Sequence, residues 1–122
     1  MPTAVDLLLH ARKLVAAGWT QAADARAADG SEVEPWAEDA VAWSLLGAIV
    51  AALEDQQARA GGQLPLPELA LALDALADFL DDDSLSAWND RPGRTPADVQ
   101  TALDHAAKQA AQSTPPLNHS PN

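Results

Sequence analysis

The chain has 122 residues and a formal net charge of −11, from 18 acidic against 7 basic side chains, and it contains no cysteine. This length supports one hydrophobic core. The lack of thiols excludes disulfides, thiolate metal sites and a cysteine nucleophile, and acids spread along the chain disfavour direct binding to a phosphate backbone.

Hydrophobic residues make up 48% of the chain, with no Tyr, one Phe and four Trp, so Ala and the aliphatic residues must build most of the core. Such a composition favours helices over sheets. The first helix is predicted to start at Thr3, a capping residue with Asp6 in the favourable first turn. Ala4, Leu7, Leu8, Ala11, Leu14 and Val15 recur at helical spacing. Gly18 then stands where a left-handed residue would end the helix. From Trp19 to Pro35 the periodicity weakens, and Asp29-Gly30 marks a turn between Ala27 and Val33. A small hairpin or an ordered loop fits this stretch, with a short helix over Thr20 to Ala28 as the competing reading.

A second helix is expected to start near Glu38 and Asp39, apolar on nearly every side as far as Leu53 and therefore central, with Trp43 and Ser44 inside it, and to turn polar and leave the core over Glu54 to Arg59. Gly47 in its interior implies close approach of a backbone or a Trp ring. Gly61-Gly62 would end it. The third helix follows Pro65 and Pro67, with Leu66, Leu69, Leu73, Leu76 and Leu80 as its apolar stripe and Asp74, Asp78 and Asp81 opposite. Beyond Asp81-Asp82-Asp83, Ser84 should cap a short helical turn over Leu85 to Trp88. Thr95-Pro96-Ala97-Asp98 is a full helix-start signature: capping hydroxyl, Pro at the first position and an acid at the third. The last helix buries Val99, Ala102, Leu103, Ala106 and Ala110, with Asp104 and Lys108 as a supporting pair. Residues 113–122 lack periodicity and are expected to be a disordered tail after a single helical domain over 1–112.

The expected fold class is therefore mostly all-α. It comprises a small bundle of about four helices plus a short helical turn, with a small β-hairpin allowed between the first two helices.

Motifs that carry chemistry are scarce. His10, His105 and His119 have no ligand spacing, and Asp81 to Asp83 lack the pattern of a calcium loop, so no metal and no cofactor is expected. Phosphate loops, nucleophile elbows and zinc-protease patterns are absent from the sequence. Two segments stand out because each sets a Trp beside directed polar groups: Gly18 to Gln21 and Trp88 to Thr95. As a binding site, Trp19 and Trp88 would supply apolar walls while Gln21, Asn89, Asp90 and Arg94 supply hydrogen bonds. As a brace, the same residues would cover the core edge, with Asn89 and Asp90 on the turn's own backbone and Arg94 paired with a carboxylate. The brace is the favoured reading.

At Gly18-Trp19-Thr20-Gln21, Asp29-Gly30, Ala42-Trp43, Leu45 to Ala48 and Trp88-Asn89-Asp90 with Pro92 to Thr95, the chain resembles the DUF6197 family of small bacterial and phage proteins. The likeness runs from about Val5 to Ala107. It departs from the family pattern at Ser44, where Cys is common, and at Ala22, where Gly is common. The resemblance implies a shared fold and a bacterial or phage origin, without an established activity.

Asp6 and Arg12-Lys13 interrupt Leu7-Leu8-Leu9, so the start does not read as a secretory signal and a cytoplasmic protein is expected. The apolar stretch from Ala40 to Leu53 falls short of the roughly 20 residues that span a bilayer, so no membrane association is expected. The leading functional expectation is a non-enzymatic interaction or regulatory protein that binds a protein partner or small ligand at the Trp-bearing loops, without direct nucleic-acid binding. The alternative is a small enzyme or ligand-binding domain with Asp90 as acid or base and Asn89 and Arg94 orienting an anionic group. An acidic inhibitor that mimics nucleic acid is the weaker third reading.

Overall fold

A computed structural model of the chain describes residues 3–60, 66–80 and 84–113. The elements are α1 (Ala4–Ala17), β1 (Ala25–Ala27), β2 (Ala40–Trp43), α2 (Leu45–Ala60), α3 (Leu66–Leu80), α4 (Leu85–Asn89) and α5 (Pro96–Ser113). The expected Gly61-Gly62 stop, the Asp81–Asp83 junction and the tail beyond Ser113 lie outside the described residues.

Local signals place the helix starts. Thr3 and Asp6 form a reciprocal capping box on α1, and a further free amide of this helix, Ala4 N–H, donates to Glu68 Oε1 of α3 at 2.8 Å. Ser84 Oγ accepts from Ala87 N at 3.1 Å to start α4. Thr95 and Asp98 exchange bonds of 3.0 and 3.1 Å ahead of α5. Replacing Thr95 by Ala removes one satisfied amide and leaves the apolar face intact, so it should cost about 1 kcal/mol, read as a lower denaturant midpoint.

The hub of the bundle is α1, which packs against α5, α2 and α3. Its Leu7, Leu8, Ala11 and Val15 are fully enclosed, together with Leu45, Leu76, Val99 and Leu103 from the surrounding helices. The apolar face read for α5 is buried throughout. On α3 the buried set is Ala72, Ala75, Leu76 and Leu80, whereas Leu73 is only half-buried. Asp104 does not support its own helix through Lys108; it forms an ion pair with Arg12 of α1 at 2.6 Å.

The largest correction concerns the segment expected to start the second helix. Ala40–Trp43 is a strand, and α2 begins only at Leu45, so the central helix is α1 and Trp43 is not helical. Strand β2 runs antiparallel to β1, pairing Ala25 with Trp43 and Arg26 with Ala42, then bulging past Val41 to pair Ala27 with Ala40. On its other edge Trp43 N donates to Gly18 O at 3.0 Å and Trp43 O accepts from Thr20 N at 3.2 Å, a parallel bridge that leaves this backbone paired on both sides. Pairing on two edges outweighs the weak helix preference of two alanines.

Residues 20–28 hold strand β1 rather than a short helix. The Asp29-Gly30 turn forms as read, with Gly30 at φ +88° and Arg26 bridged to Glu32. The Asp29 carboxyl accepts from the Ser31 hydroxyl and N–H, which holds it below its ordinary range. The expectation for Gly18 fails in an instructive way. Its φ is −176°, ordinary extended backbone, and the glycine is required because a Cβ would sit 2.1 Å from Val41 O.

Candidate functional site

All six residues singled out in the sequence converge where the 18–24 loop, the start of α2 and the α4–α5 loop meet. Asn89 is the centre of this junction and is 0% exposed. Its Oδ1 accepts from Trp19 Nε1 at 2.7 Å and from Leu45 N, the first amide of α2, at 3.0 Å. Its Nδ2 donates to Thr20 O at 3.1 Å and to Asp90 Oδ1 at 3.0 Å. A carboxamide offers two acceptor sites and two N–H groups, so Asn89 is satisfied on all four within the chain.

Its neighbours extend the same junction. Gln21 Nε2 donates to Asn89 O at 2.9 Å and Arg91 O at 3.2 Å, and Ala22 N donates to Asp90 Oδ1 at 2.9 Å. Arg94 Nε donates to Trp88 O at 2.9 Å, and its guanidinium carbon lies 3.8 Å from the Trp88 ring centroid. The brace interactions therefore differ in detail from the sequence expectation. Asn89 ties a loop about seventy residues away rather than its own turn, and Arg94 uses a carbonyl and an aromatic face rather than a carboxylate.

Sequence reasoning missed three members of this junction. Arg26 reaches Thr20 Oγ1 at 2.9 Å, Gly30 O at 2.8 Å and Gln21 O at 3.3 Å, so one guanidinium ties the 20–21 loop and the Asp29-Gly30 turn to β1. Ser44, read as an interior helix hydroxyl, precedes α2 and caps it: Oγ accepts from Gly47 N at 3.0 Å and its carbonyl accepts from Ala48 N at 2.8 Å. The Ser-Leu-Leu-Gly run was the available signal for that cap. Asp24 O, the third member, accepts from Ser44 N at 3.0 Å and covers Gly47.

A shallow depression of about 210 Å³ opens beside the junction, lined by Ala22, Ala23, Asp24, Ser44, Ser86 and Asp90. Of the six residues proposed from sequence, Asp90 alone lines it. Ala22 adopts φ +66°, a left-handed conformation that costs an L-residue about 1–2 kcal/mol and that glycine adopts freely. Ala22→Gly should therefore raise stability by about 0.5 kcal/mol once the greater freedom of glycine in the unfolded chain is subtracted. Equal or lower stability in urea would show that Ala22 is held there by contacts worth more than the strain.

Elsewhere, His105 packs against Phe79 with centroids 4.6 Å apart, and His119 lies outside the described residues. Among the described residues no group of three or more His, Asp or Glu is placed to hold a metal. Among the same residues no helix is long and apolar enough to cross a membrane.

The fold and junction define a class: a small helical protein whose bundle is locked to a short β-ribbon by one buried asparagine. The chain belongs to the family of unknown function DUF6197, whose model matches residues 1–109. No curated protein and no solved structure matches it.

Proposed function

We propose that this protein is a non-enzymatic interaction protein of the cytoplasm, acting by binding a protein partner through the segment that leads into β2. The observation that carries this reading is where apolar side chains meet solvent. Among the described residues the large apolar side chains that stand exposed are Leu9 on α1, at 45%, Trp36 ahead of β2, at 55%, and Val41 within β2, at 47%, so two of the three fall on one stretch, while the polar groups of the Trp19 and Trp88 loops are bonded to one another. Large exposed apolar groups on a fixed backbone favour partners more than catalysis. A chain without cysteine suits a reducing compartment.

A ligand-binding or catalytic site at Asp90 is the second reading, supported by the depression it lines and by the left-handed Ala22 beside it. Quantitative capture from the cell of origin separates the two, using the tagged native chain, Trp36→Ala and Asp90→Asn. A discrete protein retained by the native chain and by Asp90→Asn but lost with Trp36→Ala is the expected result. Capture that depends on Asp90 and ignores Trp36, or no discrete partner at all, would sink the interaction reading.

A further inference from the structure

A second concavity, of about 480 Å³, lies between α1, α2 and the loop ahead of β2. Leu14 and Pro35 contribute apolar lining, and Trp36, His10, Glu54 and Asp55 contribute aromatic and ionisable groups. The Trp36 backbone is anchored. Trp43 Nε1 donates to the carbonyl of buried Pro35 at 3.0 Å, and Ala37 N closes a turn onto Glu34 O at 3.0 Å. A half-exposed indole is thus presented on a held turn, beside a groove that it partly walls.

Charge decides what such a groove accepts. Glu54, exposed on α2, and Asp55 line the groove together with Trp36, and Glu34, Glu38 and Asp39 are exposed near Trp36 in the chain. Among the groove's lining residues His10 alone can carry positive charge, and its Nε2 lies 3.4 Å from Asp55 Oδ2. Carboxylates in the same groove as an aromatic face match a cation, and a planar guanidinium suits both parts, stacking on the indole while its N–H groups fork onto a carboxylate. The same chain already stacks the Arg94 guanidinium on the Trp88 indole, there with a backbone carbonyl as the hydrogen-bond partner. A net charge of −11 adds long-range attraction for a basic partner.

We propose that this groove docks a basic segment of a protein partner, with one arginine stacked on Trp36 and paired with Glu54. The proposal rests on the interaction reading above and adds the site and the partner's chemistry.

Capped hexa-arginine peptide, titrated into the full chain at low ionic strength and followed by calorimetry and the Trp36 indole N–H resonance, tests it. Binding should shift that resonance, and Trp36→Ala and Glu54→Gln should each weaken affinity by about tenfold. Asp74→Asn, which removes an exposed charge on α3, should change affinity by less than about twofold, as expected for a screened remote charge. Thermal melts of the variants report folding, and Glu54→Gln preserves the test if Trp36→Ala lowers stability. Failure of the native chain to bind, or equal weakening by Glu54→Gln and Asp74→Asn with Trp36→Ala silent, overturns the groove assignment. Those outcomes leave partner capture to judge the interaction reading by itself. Intact groove binding with no captured partner would instead overturn that reading.

Discussion

Asn89→Ala is expected to lower stability by about 3 kcal/mol or more, seen as a large drop in the urea midpoint. Truncation removes four hydrogen bonds from a side chain that is 0% exposed. Two of the groups left behind are donors, the buried Leu45 N–H and the partly buried Trp19 indole N–H. An unsatisfied buried donor costs about 1–3 kcal/mol, so the loss exceeds the net worth of the bonds themselves. Asn89→Asp is the informative companion. It keeps both acceptor bonds, but it loses the donation to Thr20 O and sets a second carboxylate against Asp90. It should also destabilise strongly, and the defect should shrink as pH falls through the carboxylate range and the repulsion is removed. Unchanged midpoints in both variants would mean that the amide is held for a ligand rather than for the fold.

Gly47→Ala carries the second large effect, and its sign opposes what local propensity alone dictates. Within a helix, Ala for Gly is worth about 1 kcal/mol in favour of folding. Here an added Cβ would lie 1.8 Å from Asp24 O and 2.7 Å from Asp24 C. The 24 carbonyl cannot retreat freely, because it accepts from Ser44 N at 3.0 Å at the start of the same helix. Relief requires moving the 20–24 loop off α2, so the net loss should be about 3 kcal/mol or more. Gly93→Ala is the control: its φ is +85° and nothing stands near its Cβ position, so only the backbone cost of about 1–2 kcal/mol applies. The denaturant midpoints should fall in that order. A stabilised Gly47→Ala protein would show that the 24 carbonyl does not press on α2.

What the sequence determined by itself is whatever closes within one helical turn or along one helix face. Thr3 with Asp6, Ser84 with Ala87 and Thr95 with Asp98 are partners three residues apart, so residue type at that spacing decides the bond. The buried face of α5 and the Asp29-Gly30 turn were legible for the same reason. Gly47 was legible halfway: a glycine inside a helix announces a close neighbour, though not which one.

Tertiary structure alone decided the rest. Ala40–Trp43 has the composition of a helix start and becomes a strand because Gly18 to Thr20 on one edge and Ala25 to Ala27 on the other supply its backbone partners. Ser44 became a cap because the strand ended before it. The six residues marked in the sequence do meet, but the roles of Trp19, Gln21, Asn89 and Asp90 are set by partners 68 to 70 residues away, and only Trp88 and Arg94 pair locally. The exposed Trp36 gave no sequence signal at all. A Trp reads as core until the fold shows that Trp43 has taken the inner position and bonded Pro35, leaving its neighbour facing water.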